Sequence, residues 1–95
     1  MRRGWLYIMA DRYRGTIYIG VTSDLPARIH RHRAGDGSDF YRRYGLHRLV
    51  YADSTELVVD AIAREKAMKK WRRAWKITLI ETTNPDWHDL SDLIG

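Results

Sequence analysis

The chain has 95 residues, no cysteine and a formal net charge of +5 at pH 7, from 17 Lys+Arg against 12 Asp+Glu. That length suits one domain over residues 1–95, and the missing thiols exclude disulfides, thiolate nucleophiles and cysteine-ligated zinc. The basic balance favours a polyanionic partner. The N-terminal apolar run from Trp5 to Ala10 is too short for a signal-peptide core or a membrane span, so a cytoplasmic protein without membrane contact is expected.

Trp5 to Ala10 and Thr16 to Val21 read as two strands joined by the polar loop Asp11 to Gly15, a hairpin. Pairing Ile8 with Ile17 and Leu6 with Ile19 gathers Leu6, Ile8, Ala10, Ile17, Ile19 and Val21 on one aliphatic face. The same register sets Tyr7 opposite Tyr18 on the other face, beside Trp5, Met9 and Gly20. Cross-strand tyrosines commonly serve only to stabilise a sheet. The next segment offers them a second use. Ser23 or Asp24 can cap a helix that accepts Pro26 in its first turn. On that helix Arg28 and His32 share a face with Leu25 and Ile29. A guanidinium and an imidazole on a core-facing stripe suit a cleft that receives a phosphate.

Gly35 to Ser38 has a loop composition, and Phe40 to Tyr44 reads as a short helical turn closed by Gly45. A third strand is expected from Leu46 to Ala52. Asp53 and Glu56 have the spacing of a capping box for a helix running to about Lys70. A further helix covers roughly Arg72 to Thr82 until Asn84-Pro85 stops it. The tail from residue 86 to 95 carries Trp87 and Leu90 as anchors.

On the long helix Leu57, Val58, Ala61, Ile62 and Met68 form an apolar stripe with Glu65 in its middle. A buried carboxylate is costly unless it is paired or binds a metal, and both outcomes stay open at this point. The densest basic stretch holds Arg64, Lys66, Lys69, Lys70, Arg72, Arg73 and Lys76, interleaved with Trp71 and Trp75. Basic residues interleaved with aromatics can bind a backbone and stack bases, while helical spacing favours a core place for the two tryptophans. The histidines lack the spacing of a metalloprotease helix. Neither a nucleotide-type phosphate loop nor a Gly-x-Ser-x-Gly elbow is present.

Tyr18-Ile19-Gly20, followed by Thr22, Leu25, Arg28 and His32, resembles the second motif of the GIY-YIG nuclease family in its small stand-alone bacterial form. Ala63 to Lys66, Lys70 to Lys76 and Asn84 to Trp87 continue the likeness, which covers about residues 4–90. The first motif departs from the family, with Trp5 and Leu6 in place of Gly and Ile, but it retains Tyr7. The resemblance implies an α+β fold, a three-stranded antiparallel sheet flanked by helices in the order β-β-α-β-α-α. It also implies a metal-dependent endonuclease acting on DNA more than RNA. Tyr7, Tyr18 and His32 would position or deprotonate the attacking water, Arg28 would stabilise charge on the phosphate, and Asn84 would support the site. Glu65 would hold one divalent metal, Mg²⁺ or Mn²⁺, since such ions need only one or two protein carboxylates.

Arg31, Arg33, Lys66, Lys69, Lys70, Arg72 and Arg73 are the expected nucleic-acid contacts. Phosphate contacts carry little sequence information, so low sequence specificity and strong salt sensitivity are expected of a monomer, with any targeting supplied by a protein partner. The alternatives are a non-catalytic nucleic-acid-binding module on the same scaffold, or a protein-interaction domain with a buried polar network.

Overall fold

The structure is a computed structural model that describes residues 2–34 and 43–94. Strands β1 (Gly4–Ala10), β2 (Ile17–Thr22) and β3 (Arg48–Thr55) form one antiparallel sheet in the spatial order β2-β1-β3. Among the described residues three α-helices join them, α1 (Leu25–Arg33), α2 (Val58–Lys69) and α3 (Arg73–Thr83), followed by a 3-10 turn at Ser91–Leu93. The chain order is the expected β-β-α-β-α-α. The expected loop from Gly35 to Ser38, and the expected turn as far as residue 42, lie outside the described residues. Arg43 and Tyr44 are helical, and Gly45 follows them at φ +61°, a backbone conformation that glycine adopts without a steric penalty.

Strand β1 lies in the middle of the sheet, which is why Leu6 to Ala10 are apolar without interruption and fully buried. Its alternate side chains enter two cores. On one face Leu6, Ile8, Ala10 and Ile19 pack with Val50, Met68 and Ile80, so α2 and α3 cover this aliphatic face. On the other, Tyr7 and Met9 pack with Leu25 and Ile29 of α1 and with Leu46 and Leu49. Asp24 caps α1, its carboxylate accepting from the Ala27 N–H at 3.2 Å, with Pro26 in the first turn.

The hairpin register differs from the expected one by two residues. Tyr7 pairs with Gly20, Ile8 with Ile19 and Met9 with Tyr18. A shift of two leaves every side chain on its expected face, because a strand repeats every second residue. The connection is the cause. The Asp11 carboxylate accepts from the Thr16 N–H at 2.8 Å and the Gly15 N–H donates to the Arg12 carbonyl at 3.0 Å. Residues 11–16 thereby form the turn, and Ala10 meets Ile17.

Strand β3 starts and ends later than the expected Leu46 to Ala52. Pairing with β1 continues to Gly4 opposite Thr55, so backbone hydrogen bonding draws Asp53 into the sheet and overrides its capping signal. The Asp53 carboxylate pairs instead with Arg64, and α2 begins after Leu57 without a side-chain cap. Within β3, Ile8 pairs with Tyr51 and Met9 with Leu49, leaving Val50 as the extra residue of a β-bulge. Leu49 enters the aromatic-face core, while Val50 and Tyr51 both enter the aliphatic one.

A bulge leaves backbone groups outside the ladder, and Asn84 takes one of them. Its Nδ2 donates to the Val50 carbonyl at 3.1 Å and to the His88 carbonyl at 2.9 Å, and its Oδ1 accepts from the His88 N–H at 3.0 Å. The tail then runs along the outer edge of β3. The Leu90 N–H donates to the Leu49 carbonyl at 2.8 Å, and Asp89 accepts from the Leu49 N–H at 3.1 Å while pairing with Arg33. Trp87 is fully buried, and its indole N–H donates to Glu81 at 2.7 Å; Leu90 is half-buried. Removing the Asn84 amide strands buried backbone groups, so Asn84→Ala should destabilise the fold by about 1–3 kcal/mol. A shifted urea midpoint at unchanged slope is the expected result.

Candidate active site

Four of the six expected site residues meet on the aromatic face. Gly20 makes their approach possible. A Cβ there would stand 2.6 Å from both Cζ and Oη of Tyr7 and 2.8 Å from Cε1 of Tyr18, so only a bare backbone lets the two rings lie against β2. The rings of Tyr7 and Tyr18 are 6.4 Å apart and tilted by 43°. From the other side α1 brings His32, whose ring centroid lies 5.8 Å from that of Tyr7, with Nε2 at 3.1 Å from the Tyr7 Oη.

His32 is 3% exposed. Burial, reinforced by the charge of Arg28 one helical turn earlier, pushes its imidazole down to about 4. The ring is therefore neutral at physiological pH, and Nε2 is able to accept a hydrogen bond from the Tyr7 phenol. Arg28 is half-buried and has no carboxylate partner among the described residues. Thr22 locks the strand to the helix, its Oγ1 accepting from the Asp24 N–H at 3.0 Å and donating to the Asp24 carbonyl at 3.2 Å. Its position in the motif marked it in the sequence, but only the turn geometry shows its use.

The other two expected residues stand elsewhere. Glu65 lies on α2, whose Ala61 and Met68 turn inward and which packs against β1 and β2 from the aliphatic side. Its side chain is 21% exposed and meets Lys69 at 3.5 Å, so the stripe carries a half-buried carboxylate in a loose ion pair. Asn84 commits its amide to the backbone of Val50 and His88. Among the described residues no group of three or more His, Cys, Asp or Glu is arranged to hold a metal.

The expected nucleic-acid contacts also divide. Arg33 pairs with Asp89, and Arg73 donates to the carbonyls of Arg14 and Gly15, so both tie the fold together. Lys69 is the partner of Glu65, while Arg31, Lys66, Lys70 and Arg72 are exposed. Of the two tryptophans, only Trp75 departs from its core assignment. Trp71 is half-buried against the aliphatic core, but Trp75 is 54% exposed. Helix α3 begins at Arg73 after a break at 70–72, so one helical phase does not run through both rings.

A three-stranded α+β domain that sets two phenols over a strand glycine, with arginine and histidine on the next helix, has the features of a nuclease domain. The GIY-YIG catalytic domain matches residues 3–78, and the chain belongs to this nuclease family. The match ends before Asn84. The chain is similar to the UPF0213 proteins of Staphylococcus aureus strains Mu50 and N315, each 34% identical over 68 residues, or 70% of this chain and 82% of theirs. It is also similar to the solution NMR structure of the UPF0213 protein BH0048 from Bacillus halodurans, with 26% identity, a TM-score of 0.58 and 96% of both chains covered.

Two outcomes follow from this geometry. Gly20→Ala should displace the Tyr7 ring from a filled core and destabilise the protein by about 1–3 kcal/mol, read by chemical denaturation. His32 should remain neutral at pH 6 and titrate at about 4 in an NMR titration of its ring carbons. Because the unfolded imidazole binds its proton first, near its ordinary value of 6.5, His32 makes stability fall as pH drops from 6.5 towards 4. In His32→Gln that part of the pH dependence should disappear.

Proposed function

We propose that the chain is a divalent-metal-dependent endonuclease that cleaves phosphodiester bonds in DNA, working as a monomeric single domain over residues 1–95 with low sequence specificity. The observation that carries the reading is the division of the aromatic-face cluster by burial. Tyr7 and His32 are sealed inside, whereas Tyr18 and Arg28 are half-buried and open towards solvent. A buried pair suits positioning, and an accessible phenol and guanidinium suit contact with substrate.

Arg28 binds the phosphate through its planar fork and gains most where the pentacoordinate phosphorus gathers negative charge. Tyr18 orients the attacking water through Oη. Tyr7, hydrogen-bonded to a neutral His32, holds the Tyr18 ring in place. The family implies a divalent cation, and the half-buried Glu65 fits one. Its ion pair with Lys69 is long enough to yield, and this one carboxylate would suffice to hold Mg²⁺ or Mn²⁺, which need only one or two from the protein. When bound, such an ion neutralises phosphate charge and acidifies a coordinated water. Arg28 and Tyr18 come from one face of the sheet and Glu65 from the helix on the other, which favours the outer edge of β2 as the seat of the scissile phosphate. Exposed Arg31, Lys66, Lys70 and Arg72 supply phosphate contacts beyond it.

The test is incubation of the purified chain with supercoiled, branched and single-stranded DNA, with and without Mg²⁺ or Mn²⁺. Cleavage should require the metal, and Arg28→Ala should lower its rate by about 10²–10³-fold, the range for losing one transition-state donor. Glu65→Gln should abolish the metal response, and Tyr18→Phe should cost more than Tyr7→Phe. DNA affinity should fall linearly on a log–log scale with added salt. Binding without cleavage of every substrate would overturn the enzymatic reading.

A further inference from the structure

Trp75 stands at the start of α3 with more than half of its surface in solvent, and the core does not need it. It is nevertheless held in place. Trp71 meets it edge-on, with ring centroids 6.4 Å apart and planes at 74°, and Trp71 is itself seated on the aliphatic core. The Arg72 guanidinium lies 5.6 Å from the Trp75 ring centroid. An exposed indole braced by a second indole and a cation is a preorganised flat surface, so little side-chain freedom is lost when something stacks on it.

The surroundings decide the chemistry of that partner. From Lys66 to Ile80 the sequence holds Lys66, Lys69, Lys70, Arg72, Arg73 and Lys76 and not one acid. Lys66, Lys70, Arg72 and Lys76 have no ion-pair partner among the described residues. A purely apolar partner would leave these cations facing an uncharged surface. A polyanion with flat π-faces satisfies both features, its phosphates meeting the cations and its ring meeting the indole. In a duplex the base faces are covered by their neighbours, and in an unpaired segment they are open.

We propose that Trp75 is a stacking platform for an unpaired base, and that Lys70, Arg72 and Lys76 hold the flanking phosphates of a single-stranded DNA segment. The site lies on the α2–α3 corner, outside the Tyr18–Arg28 cluster. It rests on the nucleic-acid reading above but not on catalysis, and it names single-stranded or locally unpaired DNA as the class of substrate.

The experiment is fluorescence anisotropy of the full chain with labelled 15-nucleotide probes in EDTA, so that binding is measured without turnover. The probes are a single strand, a blunt duplex and an abasic strand with the same phosphates. Trp75→Ala should weaken single-strand binding by about 10–100-fold, as loss of one stacked base predicts, and leave duplex and abasic binding within about two-fold. Trp75→Phe should recover part of the loss. Lys76→Ala should weaken all three probes, with a smaller salt slope. The proposal is overturned if Trp75→Ala changes nothing, or if it weakens the abasic strand as much as the normal one. Circular dichroism of each variant shows whether the fold is intact. Metal-dependent cleavage of supercoiled DNA by Trp75→Ala, run alongside, separates failure of this proposal from failure of the nuclease reading.

Discussion

The contact of the Tyr7 ring with the bare backbone of Gly20 is the constraint on which this molecule turns. It brings the central strand and the edge strand together without a side chain between them, so an aromatic ring fills the space that a Cβ would otherwise occupy. It also fixes where the Tyr7 hydroxyl ends, within reach of His32 on α1. The helix is held at that height by Leu25 and Ile29 beneath it and by Asp24 and Thr22 at its start. Packing, capping and the polar cluster are one arrangement, and a change at Gly20 reaches all of them.

A second arrangement serves the opposite edge. The bulge at Val50 lets β3 send Leu49 into one core and both Val50 and Tyr51 into the other. The carbonyl released by that irregularity is taken by Asn84, which also fixes the turn that leads Trp87 into the interior. Asp89 then binds Leu49 and Arg33, connecting the tail to β3 and to the last turn of α1. These contacts hold Asp89 below the usual carboxylate range, with its hydrogen bonds to Ser91 and Leu49 and the nearby Arg33 outweighing burial. Asn84 and Asp89 belong to the fold's scaffolding, and through Arg33 they steady the helix that carries Arg28 and His32.

Charge is distributed with a similar division of labour. Arg14 grips Glu81 through two hydrogen bonds at 2.8 and 2.7 Å, and Arg73 reaches across to the hairpin turn. Together they clamp the hairpin to α3. Among the cations outside such pairs, Lys66, Lys70, Arg72 and Lys76 gather along α2 and at the start of α3, where Trp75 is exposed. A net charge of +5 therefore understates the local field there, because the stretch from Lys66 to Ile80 holds six cations and no acid.

By itself the sequence determined the element order, the two faces of the hairpin and the strand–helix unit from Tyr18 to His32. Those features repeat locally, every two residues in a strand and every three to four in a helix, and are legible without knowing what lies across the interface. It also marked Glu65 as an odd carboxylate in an apolar stripe. Only the tertiary structure decided the hairpin register, the extension of β3 through Asp53, the commitment of Asn84 to a bulge and the exposure of Trp75. The extension of β3 and the commitment of Asn84 depend on partners distant in sequence, and the register and the exposure of Trp75 on a turn and a helix break that periodicity does not show. A loop closed by Asp11, a ladder continued by Gly4, an unpaired carbonyl at Val50 and a break between α2 and α3 outweigh the local preferences that pointed elsewhere.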